Sequence, residues 1–163
     1  MDLGGRGECL AMDLVGGKES LPATPRGNKY ILTMIDCFTR FAVAVPIPDQ
    51  SSEVLVNTVL SHYILLYGTP RRIPSDQGRN FESLEFSNFC KLFRIHKIQT
   101  TSYHPQANGI CERFNQTLKY ALRKILSESQ QNSWDLYLNF VLFSYNTSNH
   151  SSTGFTPFFL TFG

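Results

Sequence analysis

The segment FAVAVPI at residues 41–47 is apolar on both of its alternating faces. Successive side chains of a strand point to opposite sides of the sheet, so one face carries the larger residues and the other carries alanine. The larger set is Phe41, Val43, Val45 and Ile47. The small set is Ala42 and Ala44. Small apolar residues on the second face predict that this strand packs under another element, which favours a layered fold.

Strand-like and helical patterns alternate along the rest of the chain. Strands are predicted at 9–15, 29–36, 41–47, 71–76 and 97–100, the second and third forming a hairpin. Helices are predicted at 51–67, 82–93, 107–128 and 133–147, followed by a short helical turn starting at Thr156-Pro157. In the second helix the inward residues are predicted to be Leu84, Phe86, Phe89 and Leu92. This order predicts an α/β fold, and 163 residues fit a single domain.

The composition is that of an ordinary globular protein, with a net charge of only +2. No apolar run approaches the roughly 18–20 residues of a membrane span, and the acidic, glycine-rich N-terminus lacks the pattern of a secretory signal. The four cysteines form no C-x-x-C pair. We therefore expect an intracellular protein with reduced thiols and no structural zinc site.

The long helix predicted at 107–128 has two different sides at about 100° per residue. Its apolar side consists of Ile110, Phe114, Leu118, Ala121, Leu122 and Ile125. Its polar side, called the polar ridge below, consists of Asn108, Glu112, Gln116, Lys119 and Arg123. On its own, this ridge is typical of a solvated helix face.

Three carboxylates make a catalytic interpretation possible. Asp13 lies inside an apolar strand, and Asp76 leaves the carboxyl end of another strand, where α/β sheets place ligands. Thirty-five residues separate Asp76 from Glu112 on the long helix. Taken singly, either aspartate fits an ordinary turn. If all three converge, their mutual repulsion favours a divalent cation, and oxygen ligands favour Mg²⁺ or Mn²⁺. Such sites commonly hold two ions roughly 3.5–4 Å apart for phosphoryl transfer.

Four sequence blocks strengthen this interpretation. They are GNKYILTMIDCFTRF at 27–41, SDQGRNF at 75–81, TSYHPQANGICERFNQTLK at 101–119 and YNTSNHSSTGFTPFFLTFG at 145–163. In content, order and spacing they resemble the catalytic core of retroviral-type integrases, most closely those of gypsy-type long-terminal-repeat retrotransposons. The resemblance covers roughly residues 9–163.

The resemblance implies a ribonuclease H-like fold with a five-stranded mixed sheet, in the order 3-2-1-4-5, and helices on both faces. It places the catalytic metal ligands at Asp13, Asp76 and Glu112, with Mg²⁺ or Mn²⁺ as the cofactor, expected as two ions. It also assigns DNA-binding positions, which are Tyr103, Asn108, Asn115, Gln116, Lys119 and Arg123. Asp36 also belongs to the family pattern, but we expect it to tie down the hairpin turn rather than bind metal.

The activity implied is that of a polynucleotidyl transferase. Water trims the 3′ ends of the element DNA, and the freed 3′-hydroxyls attack a target duplex without a covalent enzyme intermediate. The implied partners are these two DNAs and further copies of the chain, as a homodimer or higher oligomer. The implied location is the nucleus, with no membrane association.

The chain also departs from the family pattern. Pro74 removes a ladder donor from a strand that the family places inside its sheet. We expect residues 1–163 to be one catalytic core domain, without the N-terminal zinc module or the C-terminal DNA-binding domain of the family. These departures favour an alternative, a domesticated and catalytically inactive DNA-binding or interaction module. A ribonuclease H-type hydrolase of RNA–DNA hybrids would share the fold, but the blocks at 101–119 and 145–163 argue against it.

Overall fold

The computed structural model describes residues 4–17, 21–75, 80–99 and 105–163. Five strands are present in this part of the chain: β1 (Leu10–Gly16), β2 (Tyr30–Asp36), β3 (Ala42–Ile47), β4 (Arg72–Ser75) and β5 (His96–Gln99). The α-helices are α1 (Ser52–Val59), α2 (Leu65–Tyr67), α3 (Leu84–Leu92), α4 (Pro105–Ile125), α5 (Trp134–Thr147) and α6 (Pro157–Phe162). The α/β class and the predicted order of elements are confirmed.

Two helical segments depart from the predicted regular helices. The helix predicted at 51–67 contains a π-helical stretch, Leu60–Ile64, between α1 and α2. A 3₁₀ helix, Glu128–Ser133, leads into α5. The helical turn predicted near the C-terminus is confirmed as α6, where the Thr156 side chain accepts a hydrogen bond from Phe159 N–H and Pro157 takes the first helical position. None of the helices in the described part of the chain combines the length and apolar character that a membrane crossing requires.

The strands form an antiparallel sheet in the order β1-β2-β3 and a parallel pair, β4-β5. The first sheet is covered on both faces, as the pattern of residues 41–47 predicted. Ala42 and Ala44 belong to the apolar core under α4 and α5. Val45 and Ile47 belong to a second core under α1 and α3. The small alanine side chains thus let α5 lie close to β3.

The core-facing residues of α3 differ from the prediction. Phe86, Phe89 and Cys90 are buried, whereas Leu84 and Leu92 are 75% and 78% exposed. The buried set follows the i, i+3, i+4 spacing of one helix side, and positions 84 and 92 lie more than a quarter turn from its centre. The prediction for these two leucines was wrong because it considered their apolar character but not their angular positions around the helix.

The turn between β2 and β3 is held by Asp36, as expected. Its carboxylate accepts hydrogen bonds from the backbone N–H groups of Gly7, Phe38 and Thr39 and from the Thr39 hydroxyl, at 2.7–3.2 Å. Because these donors use both carboxylate oxygens, Asp36 serves as a turn cap. It also fixes the segment that enters β1.

The two sheets meet at one point, where Cys9 and Arg72 form an isolated parallel bridge. Arg72 N–H donates to the Glu8 carbonyl at 2.9 Å, so the even-numbered N–H groups of β4 face β1. The next such group along β4 would belong to residue 74, which is proline. A continuous five-stranded ladder was predicted. The described residues instead show three strands plus two, because proline cannot donate the hydrogen bond that would extend the bridge.

The outer edge of β3 is capped by a side chain of α5. The buried Asn146 amide accepts a hydrogen bond from Ala42 N–H and donates one to the Ala42 carbonyl, both at 2.9 Å. Asn146 therefore replaces the neighbouring strand that β3 lacks on this side in the described structure, and it locks α5 onto the sheet.

The Pro74→Val substitution should extend the ladder between β1 and β4. The new backbone N–H would face β1, two residues after Arg72, so it should be protected from hydrogen exchange to a similar degree as the Arg72 amide. Exchange measured by NMR checks this. If the amide introduced at position 74 exchanged as fast as an exposed loop amide, the explanation of the broken ladder would be contradicted.

The Asn146→Ala substitution should lower the free energy of unfolding by roughly 2–4 kcal/mol, because it leaves two buried backbone groups of Ala42 unpaired. Urea unfolding provides the measurement. The matched control is Asn139→Ala, an exposed asparagine of the same helix. Equal effects of the two substitutions would show that the cap contributes nothing specific.

Candidate active site

Asp13 lies on the face of β1 that is covered by α4. Its neighbours on this face, Ala11 and Val15, are buried in the core under α4 and α5. Asp13 itself is only partly buried. Strand alternation therefore presents one carboxylate, at an accessible margin of the core, to the long helix.

Both oxygens of the Asp13 carboxylate accept hydrogen bonds. Oδ1 accepts from Leu14 N–H at 2.8 Å, and Oδ2 accepts from Nδ2 of Asn115 at 2.7 Å. The backbone of Asp13 is also held, because the Thr33 hydroxyl donates to its carbonyl at 3.1 Å. These contacts fix the orientation of the carboxylate and keep it in the role of an acceptor.

Asn115, which the resemblance assigned to the DNA-binding positions, is 6% exposed and contacts Asp13. On a helical wheel it falls between the buried side of α4 and the polar ridge, which explains how it reaches Asp13. The signal that could have indicated this is its spacing of four residues from Cys111 and three from Leu118, which are both buried.

The amide oxygen of Asn115 is buried and has no hydrogen-bond partner in the described structure. The opposite amide orientation would turn this oxygen toward the Asp13 carboxylate, which is also an acceptor, so the orientation with Nδ2 toward Asp13 is the favourable one. A buried oxygen acceptor without a donor is costly, and a cation would satisfy it.

Glu112 projects from α4 one turn before Asn115. Residues three apart on a helix are neighbours, so Glu112 emerges beside the side chain that contacts Asp13. Glu112 is exposed and therefore open to an incoming ligand. The other residues of the polar ridge, Asn108, Gln116, Lys119 and Arg123, are exposed or partly exposed. The predicted accessibility of the ridge is confirmed.

One apolar residue assigned to the other side of α4 behaves differently. Ile125 is 45% exposed, because it ends the helix and lines a cleft between α4 and α5. Ile110, Phe114, Leu118 and Leu122 are buried as predicted.

Two predicted site residues, Asp76 and Tyr103, lie outside the described residues. Within the described ranges, no group of three His, Cys, Asp or Glu side chains is arranged to hold a metal ion. The structure thus brings together Asp13, Asn115 and the helix side carrying Glu112. The available donors are hard oxygens, including the unpaired Asn115 oxygen, and they fit Mg²⁺ or Mn²⁺ better than a softer metal.

Comparison with known proteins identifies the family to which the chain belongs. A family model described as "Integrase core domain" matches residues 5–105. The retrovirus-related Pol polyprotein from transposon 412 of Drosophila melanogaster is 29% identical over 154 residues, which is 94% of this chain and 12% of that protein. The Gag-Pol polyprotein of feline leukemia virus is 31% identical over 137 residues, 84% of this chain and 8% of the relative. The Tf2-3 transposon polyprotein of Schizosaccharomyces pombe is 30% identical over 152 residues, which is 93% of this chain and 11% of that protein. The chain thus spans about a tenth of these relatives.

Solved structures show the same fold. A chain of the simian T-cell lymphotropic virus intasome, in complex with the PP2A regulatory subunit B56 gamma, superposes with a TM-score of 0.83 at 22% identity, covering 98% of this chain and 55% of that chain. The HTLV-2 integrase catalytic core domain in complex with magnesium gives a TM-score of 0.76 at 21% identity, covering 96% of this chain and 97% of that chain. The BIV integrase catalytic core domain gives a TM-score of 0.73 at 23% identity, covering 95% of this chain and 93% of that chain. The fold is therefore that of the ribonuclease H-like integrase cores, and the chain belongs to the integrase core domain family of the retroviral type.

Proposed function

We propose that this chain is an integrase-type polynucleotidyl transferase core that processes the 3′ ends of element DNA and joins them to target DNA. The observation that carries this proposal is the contact between Asp13 and α4, in which Asn115 Nδ2 lies 2.7 Å from Asp13 Oδ2. This contact sets the strand carboxylate beside the helix side that carries Glu112. In the proposal, Asp76 supplies the third carboxylate.

Two displacements at phosphorus are involved. In end trimming, water attacks the phosphorus, the bond from that phosphorus to the 3′-oxygen of the cleaved strand breaks, and the phosphodiester is hydrolysed to a phosphomonoester. In joining, a DNA 3′-hydroxyl attacks and one phosphodiester replaces another; in both steps the nucleophile loses a proton and the departing 3′-oxygen gains one. Asp13, Glu112 and Asp76 would hold the divalent cation, proposed here as a pair of ions, and the hydrogen bond from Asn115 would keep Asp13 oriented. When bound, the cation neutralises negative charge at the phosphate under attack.

The polar ridge provides a surface for the DNA partner. Lys119 and Arg123 carry positive charges along α4 on the same side as Glu112. Gln116 adds a polar group between them and Glu112, and Asn108 adds another one turn before Glu112. Tyr103 would join this surface from the segment before α4. Contacts of lysine and arginine with phosphates give affinity that depends on salt and little on base sequence. Because its substrates are chromosomal and element DNA, we place the protein in the nucleus.

Self-association is part of the proposal. Large apolar side chains of α6 and α2 are exposed around Phe162, whose ring contacts Phe41 and Tyr67. They include Leu65, Leu66, Phe158 and Phe159. An exposed apolar area of this kind is typical of a protein interface, and a second copy of the chain is the occupant proposed here. Among the solved relatives, the HTLV-2 core is found in trimeric and dimeric forms.

The finer topology also belongs to the proposal. The bridge between Cys9 and Arg72 makes β4 the neighbour of β1. This supports the order β3-β2-β1-β4-β5, with the ladder interrupted at Pro74, within a single catalytic core domain. The alternative function, a domesticated module without activity, is favoured by the same interruption, since β4 leads directly into Asp76.

Catalysis can be tested with the purified chain, Mn²⁺ and a branched DNA that reports nicking or reversal of strand transfer. Glu112→Gln should lower the rate by about a hundredfold or more, because the substitution keeps the shape of the side chain but removes a charged ligand. Asp76→Asn should do the same.

Glu53→Gln is the matched control and should retain most of the activity, because it makes the same change at an exposed glutamate of α1, on the opposite face of the sheet. If the parent chain produced no more product than the Glu112→Gln and Asp76→Asn variants, the domesticated module would become the better account.

The role of Asn115 can be tested by metal binding alone. Asn115→Leu preserves volume but removes the donor to Asp13, so Mn²⁺ affinity measured by calorimetry should fall about tenfold to a hundredfold. Thermal unfolding measured without metal separates this effect from a loss of structure. Unchanged Mn²⁺ affinity in a folded variant would show that Asn115 does not position the metal ligand.

A further inference from the structure

The cleft between α4 and α5 is a cavity on a different side of α4 from the polar ridge. It has a volume of about 580 Å³ and is formed by α4, α5 and the loop at 148–152. Arg113 and Thr117 line it, and they point more than a quarter turn away from Glu112 around the helix. The cavity is therefore separate from the candidate active site, although the same helix forms a wall of both.

The cavity is positively charged. Arg40 and Arg113 line it, and no aspartate or glutamate among the described residues does. Burial raises the pKa of the Tyr145 hydroxyl, which lines the same cavity, to about 12, while the charges of Arg40 and Arg113 act in the opposite direction. Two cations in one lining, without a counter-charge among its described residues, favour an anionic ligand.

Arg40 has an unused hydrogen-bond donor. Its Nη1 atom is buried and makes no hydrogen bond in the described structure. A buried guanidinium nitrogen without an acceptor is costly, and a phosphate oxygen is an acceptor that matches guanidinium geometry. The hydroxyls of Ser151 and Ser152, also in the lining, are further donors for such a group.

The backbone of Arg40 gives an independent argument. Its φ is +66°, in the left-handed region that favours glycine. Glycine would close the turn between β2 and β3 at a lower conformational cost. An arginine here therefore carries a local cost that a functional contact of its side chain would explain.

The remaining walls are apolar. Phe140 is 71% exposed and Ile125 is 45% exposed, and both line the cavity together with Ala121. An exposed aromatic ring beside a cationic end matches a ligand with a planar ring and a phosphate, because nucleic acid bases stack on aromatic side chains.

We propose that the cavity between α4 and α5 binds a nucleotide, with its phosphate at Arg40 and Arg113 and its base against Phe140. The nucleotide is either free or part of a single strand. This inference does not depend on the catalytic proposal, since none of the three carboxylates takes part.

Binding can be measured by calorimetry with the full chain and four probes: dAMP, ribose 5-phosphate, inorganic phosphate and a five-residue oligodeoxyadenylate. We expect saturable binding of dAMP that weakens about tenfold or more in Arg40→Gly and Arg113→Gln. Phe140→Ala should weaken the binding of dAMP but not that of inorganic phosphate. If the oligonucleotide competes with dAMP and binds more tightly, the ligand of the cavity is part of a single strand. If dAMP binds more tightly than the oligonucleotide, the ligand is a free nucleotide. Both outcomes support the site.

Arg94→Gly is the matched control. Arg94 is exposed, has a φ of +55° and follows α3 on the opposite face of the sheet. This variant therefore removes the same charge from a position of similar backbone conformation, away from the cavity. It should bind dAMP within about twofold of the parent chain. Because glycine suits both positions, thermal unfolding should show both variants folded.

Three results would overturn the proposal. The first is no saturable dAMP binding, and the second is equal weakening by Arg94→Gly and Arg40→Gly, which would indicate general charge attraction. The third is inorganic phosphate or ribose 5-phosphate binding as tightly as dAMP, which would exclude a nucleotide site.

Discussion

The hydrogen bond between Asp13 and Asn115 joins the two parts of the molecule on which a catalytic role depends. Asp13 belongs to the first strand, and Asn115 belongs to a helix about a hundred residues later in the chain. The bond links the central sheet to the helix that carries Glu112, at the margin of the core between α4 and β1. Together with the bond from Leu14 N–H it fixes the orientation of the carboxylate, and it leaves a buried amide oxygen beside it. The chemistry proposed for the chain requires this local order before any metal or DNA arrives.

This contact is possible because the sheet accepts helices on both faces. Alanines on one face of β3 leave room for α5, and the Asn146 amide fixes that helix to the strand edge. With α5 in place, α4 packs between α5 and β1, burying Phe114 and Leu118. The same packing leaves the cavity at Arg40 and Arg113 on the far side of α4. One helix therefore presents Glu112 on its polar ridge and turns Arg113 and Thr117 toward the cavity on a different side.

Much of this arrangement could be predicted from the sequence. Alternation at residues 41–47 predicted a doubly covered strand, and the 3.6-residue period of α4 predicted the accessible polar ridge. The failures have physical reasons. Leu84 and Leu92 were predicted to face the core because their hydrophobicity was considered without their angular positions around the helix. Asn115 was assigned to neither side of α4, because a polar residue at the border of a helix stripe can face either way, and only the position of Asp13 across the chain decides which.

Other features depend on long-range geometry that a single sequence does not contain. The missing donor at Pro74 was visible in the sequence, but its effect became clear only when Arg72 was seen to direct its N–H toward β1. The unpaired nitrogen of Arg40 could not be predicted, because it depends on how the turn after β2 meets α4 and α5. Local patterns therefore predict elements and exposed faces, whereas the partners of individual polar atoms follow from packing.

The most direct test of the account is a crystal structure of the chain grown with Mn²⁺ and recorded at a wavelength where manganese scatters anomalously. The account predicts an anomalous peak bound by carboxylate oxygens of Asp13 and Glu112, with Asp76 completing the site. Manganese found only at other surface positions, with Asp13 and Glu112 both unliganded at saturating metal, would contradict it.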